Sequence, residues 1–187
     1  MKCRILLLVC LTAFSVRAMA QDALKWSVST NLADWAYLVT FNVSGQYALA
    51  RHFSLEAQAR WNPWAFGDWQ QNALQSKQRT VSIGTRWWPW YTYSGWWVGA
   101  RGQYQEYNSG GFKARDTEEG DAFGLVMSGG YSLQLAKWLN LDFGLGFWGG
   151  YSKYRTYACP NCGRLTGGGE KTFFLPDEMM ISAMLIF

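Results

Sequence analysis

Two cysteines three positions apart, in "ACPNCGRLTGGGE", are the sharpest chemical motif of the chain. A pair at this spacing can be a redox couple, half of a zinc site or a small disulfide clip. A structural zinc site needs about four ligands, and after the first twenty residues no other Cys or His lies near Cys159 and Cys162. Redox pairs sit at helix starts, where the thiolate is stabilised, and this pair sits in a glycine-rich loop. The favoured reading is a loop disulfide. The single histidine, His52, falls in an expected short turn. A nucleophile triad would need it beside a serine and an acid in a pocket. The sequence therefore offers no catalytic residue, no metal ligand set and no cofactor motif.

A second constellation is polar. Lys25, Glu56, Gln58, Arg60, Arg86, Arg101, Gln103 and Asp142 recur on one face of alternating segments. If that face is buried, its charges must pair. Glu56 and Asp142 are expected to bond Arg60, Arg86 or Arg101, forming a plug rather than a reactive cleft. Aromatics form a third group. "RWWPWYTYSGWW" (Arg86 to Trp97) reads as an interfacial girdle rather than a sugar platform, whereas Trp64 and Trp69 in "WAFGDWQQN" fall in an expected outer loop and could contact a partner or glycan.

Period-two alternation positions these groups. Phe53, Leu55, Ala57, Ala59 and Trp61 share one face, with Ser54, Glu56, Gln58 and Arg60 on the other. Phe123 to Leu133 and Leu139 to Phe147 alternate likewise, which is the strand signature. Eight strands are expected, at about 24–33, 39–50, 53–63, 78–88, 96–107, 121–135, 138–154 and 173–187. Short turns near Arg51-His52, Tyr91 to Gly95 and Ala136-Lys137 alternate with long polar connections at 64–77, 108–120 and 155–172; the short connection near Asp34 breaks the pattern. That asymmetry is typical of outer-membrane barrels. The hairpin pattern of "YALARHFSLEAQA" recurs in "YSLQLAKWLNLDFGLG" because the turn end of each hairpin meets the same interface, with an aromatic on either side.

The first twenty residues read as a cleaved secretory signal: Lys2 and Arg4, the apolar run Ile5 to Val16, then "AMA" before Gln21. Residues 21–187 then form a single domain. Removing Lys2, Arg4 and Arg17 from 17 basic residues leaves 14 against 13 acids, so no basic surface argues for nucleic acid. After that segment no apolar stretch approaches the roughly 18 residues of a spanning helix.

Which face points outward decides the class. Dozens of large apolar side chains cannot fit an eight-stranded lumen, whereas the Gly-, Ser- and Ala-rich polar face can. The expected fold is an all-β, eight-stranded, antiparallel up-and-down transmembrane barrel with a narrow, plugged lumen, conducting little because wide channels need about sixteen strands. The alternative is a soluble periplasmic β-sandwich. In "MMISAMLIF", Met179, Ile181, Ala183, Leu185 and Phe187 form one apolar face, and Ile181, Leu185 and Phe187 read as a C-terminal signal for barrel-assembly machinery.

"STNLADWA", "GQYALARHFSLEAQARW", "GGYSLQLAKWLNLDFGLGFWGGYSKY" and the last strand resemble a family of short outer-membrane β-barrels classed as a domain of unknown function, often encoded near fimbrillin genes in gut-type anaerobes. The likeness covers nearly all of Lys25 to Phe187, with a more distant architectural likeness to OmpA- and OmpX-like barrels. It implies an eight-stranded barrel and no activity or cofactor; "ACPNCG" has no counterpart in it. The expectation is a non-enzymatic outer-membrane protein in contact with lipid, the assembly machinery and surface or fimbrial proteins. A membrane-embedded enzyme acting on lipid or peptide is the alternative.

Overall fold

The computed structural model describes residues 24–37, 39–66, 74–110, 116–158 and 163–187. The elements run β1 (Trp26–Asn31), α1 (Leu32–Ala36), β2 (Phe41–Ala50), β3 (Phe53–Asn62), β4 (Ala65–Phe66), β5 (Leu74–Trp87), β6 (Gly95–Gly110), β7 (Thr117–Ala136), β8 (Leu139–Tyr157) and β9 (Leu165–Ile186). Eight of the strands pair antiparallel with their sequence neighbours, β3 joining β5 directly. β1 pairs with β9 and closes the ring. The two-residue β4 hangs on the far end of β5. The fold is thus an eight-stranded antiparallel up-and-down barrel in one closed sheet, which excludes the sandwich. No helix among the described residues is long and apolar enough to cross a membrane.

The number of strands matches expectation, but their lengths do not. Within the segments 108–120 and 155–172, read as long loops, residues 108–110, 117–120, 155–157 and 165–172 are strand, and β9 begins at Leu165 rather than near 173. Backbone pairing overrides composition there. "TGGGE" lacks alternation, yet Gly167, Gly168 and Gly169 pair with Thr156, Arg155 and Tyr154. The connection near Asp34 is the short helix α1, started by Asn31, whose side chain accepts from the Ala33 N–H. The wall is uneven: β1 to β3 are short and β6 to β9 stand well above them.

Alternation sorts the side chains. Ser27, Ser29, Asn42, Ser44, Gln46, Glu56, Arg86, Arg101 and Asp142 are buried in the lumen. Val28, Val43, Leu55, Ile83, Val98, Leu125, Met127, Leu145 and Met179 are exposed outside. The lumen is narrow because its far wall is glycine: a Cβ at Gly130 would lie 2.0 Å from the Phe143 carbonyl oxygen and 2.7 Å from the Trp97 ring. Trp97 fills that space.

The outer apolar band has a sharp upper limit. Arg79, Glu106, Asp121, Lys153 and Glu170 are register partners in sequence across β5 to β9. All five are exposed, and Lys153 Nζ lies 3.2 Å from Glu170 Oε1. Directly beneath runs the row Val81, Tyr104, Phe123, Tyr151 and Thr172. On β7 the apolar outer positions then continue from Phe123 to Leu133. At the short-turn end Trp26 packs on Tyr47 at 4.5 Å and Trp96 on Tyr131 at 5.2 Å between ring centroids.

Candidate functional site

The densest cluster of chemistry is a layer of charge across the middle of the lumen, built from β3, β5, β6, β8 and β9. Arg86 is its hub. Its Nε donates to Glu56 Oε2 at 2.9 Å and its Nη2 to Oε1 at 2.5 Å. Its Nη1 donates to Asp142 Oδ2 at 2.9 Å. The guanidinium stacks on Trp97, 3.9 Å from the ring centroid. One planar fork therefore holds two carboxylates and an aromatic face, a task for arginine rather than lysine. Arg101 donates to Glu178 and lies 4.0 Å from Glu56 Oε2. Arg60 donates to Asp177 Oδ2 at 2.9 Å and to Gln103 Oε1 at 3.2 Å. Gln103 closes the ring to Asp177 Oδ1 at 3.0 Å, and Gln58 donates to Glu178 Oε1 at 3.0 Å. The charged side chains of this layer are at most 6% exposed.

The structure thus brings Glu56, Gln58, Arg60, Arg86, Arg101, Gln103 and Asp142 together and leaves Lys25 out. Lys25 is exposed. It precedes β1, at the rim below the lumen, and only its carbonyl takes part, accepting from Tyr93 Oη at 3.0 Å. Arg60 pairs not with Glu56 or Asp142 but with Asp177. Asp177 and Glu178 are the residues that sequence reasoning missed. Strict alternation lets only one of two neighbours face inward. Here Gly146 pairs with Glu178 and Phe147 with Pro176, so Asp177 is an extra, bulged residue. A bulge resets the alternation, and both acids face the arginines. The sequence signal was the adjacent pair of acids behind a proline, "LPDE".

Apolar groups close the lumen on either side of this layer. Below, Trp88, Tyr93, Trp97, Met180, Met184 and Ile186 form a core. The Trp88 indole donates to Ser54 Oγ at 3.1 Å, and Asn140 Nδ2 donates to the Tyr93 carbonyl at 2.6 Å. The girdle reading is thereby corrected. Trp87, Trp90, Tyr91 and Trp96 point outward, but Trp88, Tyr93 and Trp97 are inside: Trp88 keeps the inward parity of Arg86 on β5, Trp97 keeps that of Arg101 on β6, and Tyr93 turns in from the connection between them. Above, Ala122, Val126 and Trp148 cluster with Tyr107 and Phe173. Asp34 of α1 lies near the Arg60 end of the layer, and its Oδ2 is buried without a partner. Burial pushes its carboxyl up to about 6, against the opposing pull of Arg60.

The remaining candidates lie apart. His52 Nδ1 is 3.0 Å from the Trp88 carbonyl in the short turn after β2, remote from the charge layer. Trp64 is at the opposite end, its indole donating to the Val39 carbonyl at 3.2 Å and its ring 6.2 Å from Phe41. Leu185 and Phe187 are exposed and Ile181 is half-buried on the outer face of β9. Trp69, Cys159, Cys162 and the first twenty residues, read above as a signal, fall outside the described residues. Among the described residues no group of three or more His, Cys, Asp or Glu could hold a metal ion. The arrangement binds its own charges: each arginine of the layer faces a carboxylate, and among the described residues no nucleophile–base pair adjoins it.

No curated protein and no solved structure matches the chain. A family model matches residues 5–187, and the chain belongs to that family, described as "Protein of unknown function (DUF3575)".

Proposed function

We propose that the protein is a small, non-enzymatic outer-membrane barrel whose tall wall, β6 to β9, binds or helps assemble surface material. The observation that carries the membrane reading is the outer face. An apolar band runs from Phe123 to Leu133 on β7 and ends at a row of five charges. A spanning strand needs about 9–11 residues, and aromatic residues flank the apolar band of such barrels at both interfaces. In water this band would be a large exposed apolar surface, which soluble monomers avoid. The short-turn end then faces the periplasm and β6 to β9 project outside the cell. Outer-membrane lipid and the barrel-assembly machinery are the partners this requires; nothing in the charge balance favours nucleic acid.

Association with fimbrial or other surface proteins rests on the resemblance described above. It also fits the way β6 to β9 rise beyond the apolar band while the lumen is filled. A filled lumen leaves the outer wall as the surface able to meet a partner. The test is membrane fractionation followed by gel migration with and without boiling. The protein is expected in the outer membrane and to shift in mobility only after heating. Recovery in the soluble periplasmic fraction overturns the reading.

A further inference from the structure

β9 is paired on both sides only over its last third. β8 accompanies it from Tyr157↔Leu165 to Leu139↔Leu185. On the other side β1 pairs only with Ser182 to Ile186. Asn31 extends that seam by one step: Ile181 N–H donates to its Oδ1 at 3.0 Å, and its Nδ2 donates to the Met179 carbonyl at 3.1 Å. Beyond this, no described strand lies against β9. The opposite side of the tall wall differs, because β5 is flanked by β3 from Gln78 to Trp87 and by β4 at Leu74 and Gln75.

We infer that the open side of β9 from Leu165 to Thr172 receives an extended strand of another polypeptide. An unpaired edge presents main-chain donors and acceptors that only another extended backbone matches in register. Near Asn31 the outward-facing residues, Met179 and Ile181, are the ones whose main-chain groups turn toward β1. By the period-two repeat, reset at the bulge, Gly168, Glu170 and Thr172 turn theirs toward the open side. The usual edge protections stop short of this stretch. Pro176, which has no N–H, and the Asp177 bulge lie below it. The two charges within it lean away: Glu170 pairs with Lys153 on β8, and Lys171 with Glu118 on β7 at 2.5 Å. Gly167, Gly168 and Gly169 leave room opposite for bulky side chains, and Leu165 just before them is 58% exposed. The fitting partner is therefore an extended, uncharged segment with β-branched or other apolar side chains. The inference rests on the proposed function only in placing that partner outside the cell.

The test uses the full chain folded in lipid nanodiscs, with its heat-dependent gel shift as the check on folding. Residue-resolved amide exchange is followed with and without an acetylated ten-residue peptide of alternating valine and threonine. The amides of Gly168, Glu170 and Thr172 should exchange fast in the free protein and at least tenfold more slowly with peptide. A peptide N-methylated at alternate residues should bind at least tenfold more weakly. Thr172→Pro removes one edge donor without touching the β8 ladder and should weaken binding as much while keeping the gel shift. The methylated peptide decides the matter if that variant does not fold. Equal binding of both peptides, or none of either, overturns the inference. So do amides that are already slow in the free protein, which would mean that the chain covers its own edge. Loss of the gel shift in the unmodified protein would instead count against the membrane reading.

Discussion

β9 belongs to two different environments, divided at the Asp177 bulge. Below it the strand is paired on both sides, and Glu178, Met180, Ser182 and Met184 are buried in the lumen. Above it, among the described residues, the strand is paired on one side only, and it is exposed on both faces from Leu165 to Thr172. Side-chain character does not separate the halves, since each carries charge and apolar bulk. What separates them is closure. Where β1 completes the ring, inward charges are removed from water and must be satisfied by one another. Where β1 has ended, the same strand keeps its side chains solvated and leaves its backbone short of partners. One half is determined by its interior, and the other is left open to whatever pairs with it.

The largest effect should come from breaking the closed half at its hub. Arg86→Ala leaves the Asp142 carboxylate in the lumen without its cation and Glu56 with only Arg101, 4.0 Å away. Removing one member of a buried charge network costs about 3–5 kcal/mol. Urea unfolding in lipid vesicles, followed by tryptophan fluorescence, should show a correspondingly lower midpoint. Adding Glu56→Gln and Asp142→Asn to an Arg86→Met variant should recover most of the loss, because no charge is then left unpaired. Failure of the triple variant to recover would mean that the arginine acts through its stacking on Trp97 instead.

Glycine gives a matched pair across the divide. Gly130 faces the lumen, where a Cβ would lie 2.0 Å from the Phe143 carbonyl oxygen; at Gly167 of upper β9 a Cβ meets nothing within 4 Å. Gly130→Ala should cost about 1–3 kcal/mol as an overpacked core does. Gly167→Ala should be neutral or stabilise by about 0.4–1 kcal/mol through the unfolded chain. The same urea midpoint reads both. Equal costs would show that the upper strand is as tightly enclosed as the lumen, and the division would fail.

Legibility in the sequence followed the same line. Ser54 to Arg60 and Leu139 to Phe147 show their faces plainly because each strand has one buried and one exposed side, and burial imposes alternation. Glu56, Arg86, Arg101 and Asp142 could be assigned to one lumen from that pattern alone. Asp177 could not, because a bulge is a backbone event that leaves the alternation intact on either side and shifts it between. Trp88 and Trp97 were hidden among outward neighbours of the same type. Upper β9 looked like a loop because a strand exposed on both faces has no reason to alternate, and only its pairing with Arg155 and Thr156 shows it to be a strand. Lys25 had the right parity but lies past the end of β1.

A smaller effect should appear where the two regimes meet. Asp34 caps the charge layer from α1, with burial holding its carboxyl up to about 6 from an ordinary 3.8. A raised carboxyl stabilises the folded state fully below about pH 4, and that contribution is lost as the pH rises through 6. The cost at neutral pH is at most about 3 kcal/mol, at roughly 1.4 kcal/mol per pH unit. Asp34→Asn should therefore be more stable than the parent at pH 7.5 and equal to it near pH 4. Amide exchange in α1 should accelerate between pH 4 and 7 in the parent beyond the intrinsic pH dependence, and Asp34→Asn should remove that excess. A parent stability that is flat over this range, or that rises with pH, would place Asp34 in contact with a compensating cation and extend the closed regime upward into α1.

The smallest effect belongs to the open half. Glu170 and Lys153 form an ion pair at 3.2 Å, close to the spacing of lumen pairs, yet their side chains are 55% and 66% exposed. Water and salt screen such a pair, and holding two long side chains in place costs entropy that offsets most of the attraction. Glu170→Ala should leave the urea midpoint unresolved from the parent at physiological salt, in contrast to Arg86→Ala. Removing the carboxylate should nevertheless alter the rim, because Glu170 stands beside the open backbone of β9. A resolvable loss of stability at high salt would mean that the pair is shielded from solvent, and the upper wall would then have to be covered in a way that its exposed faces do not show.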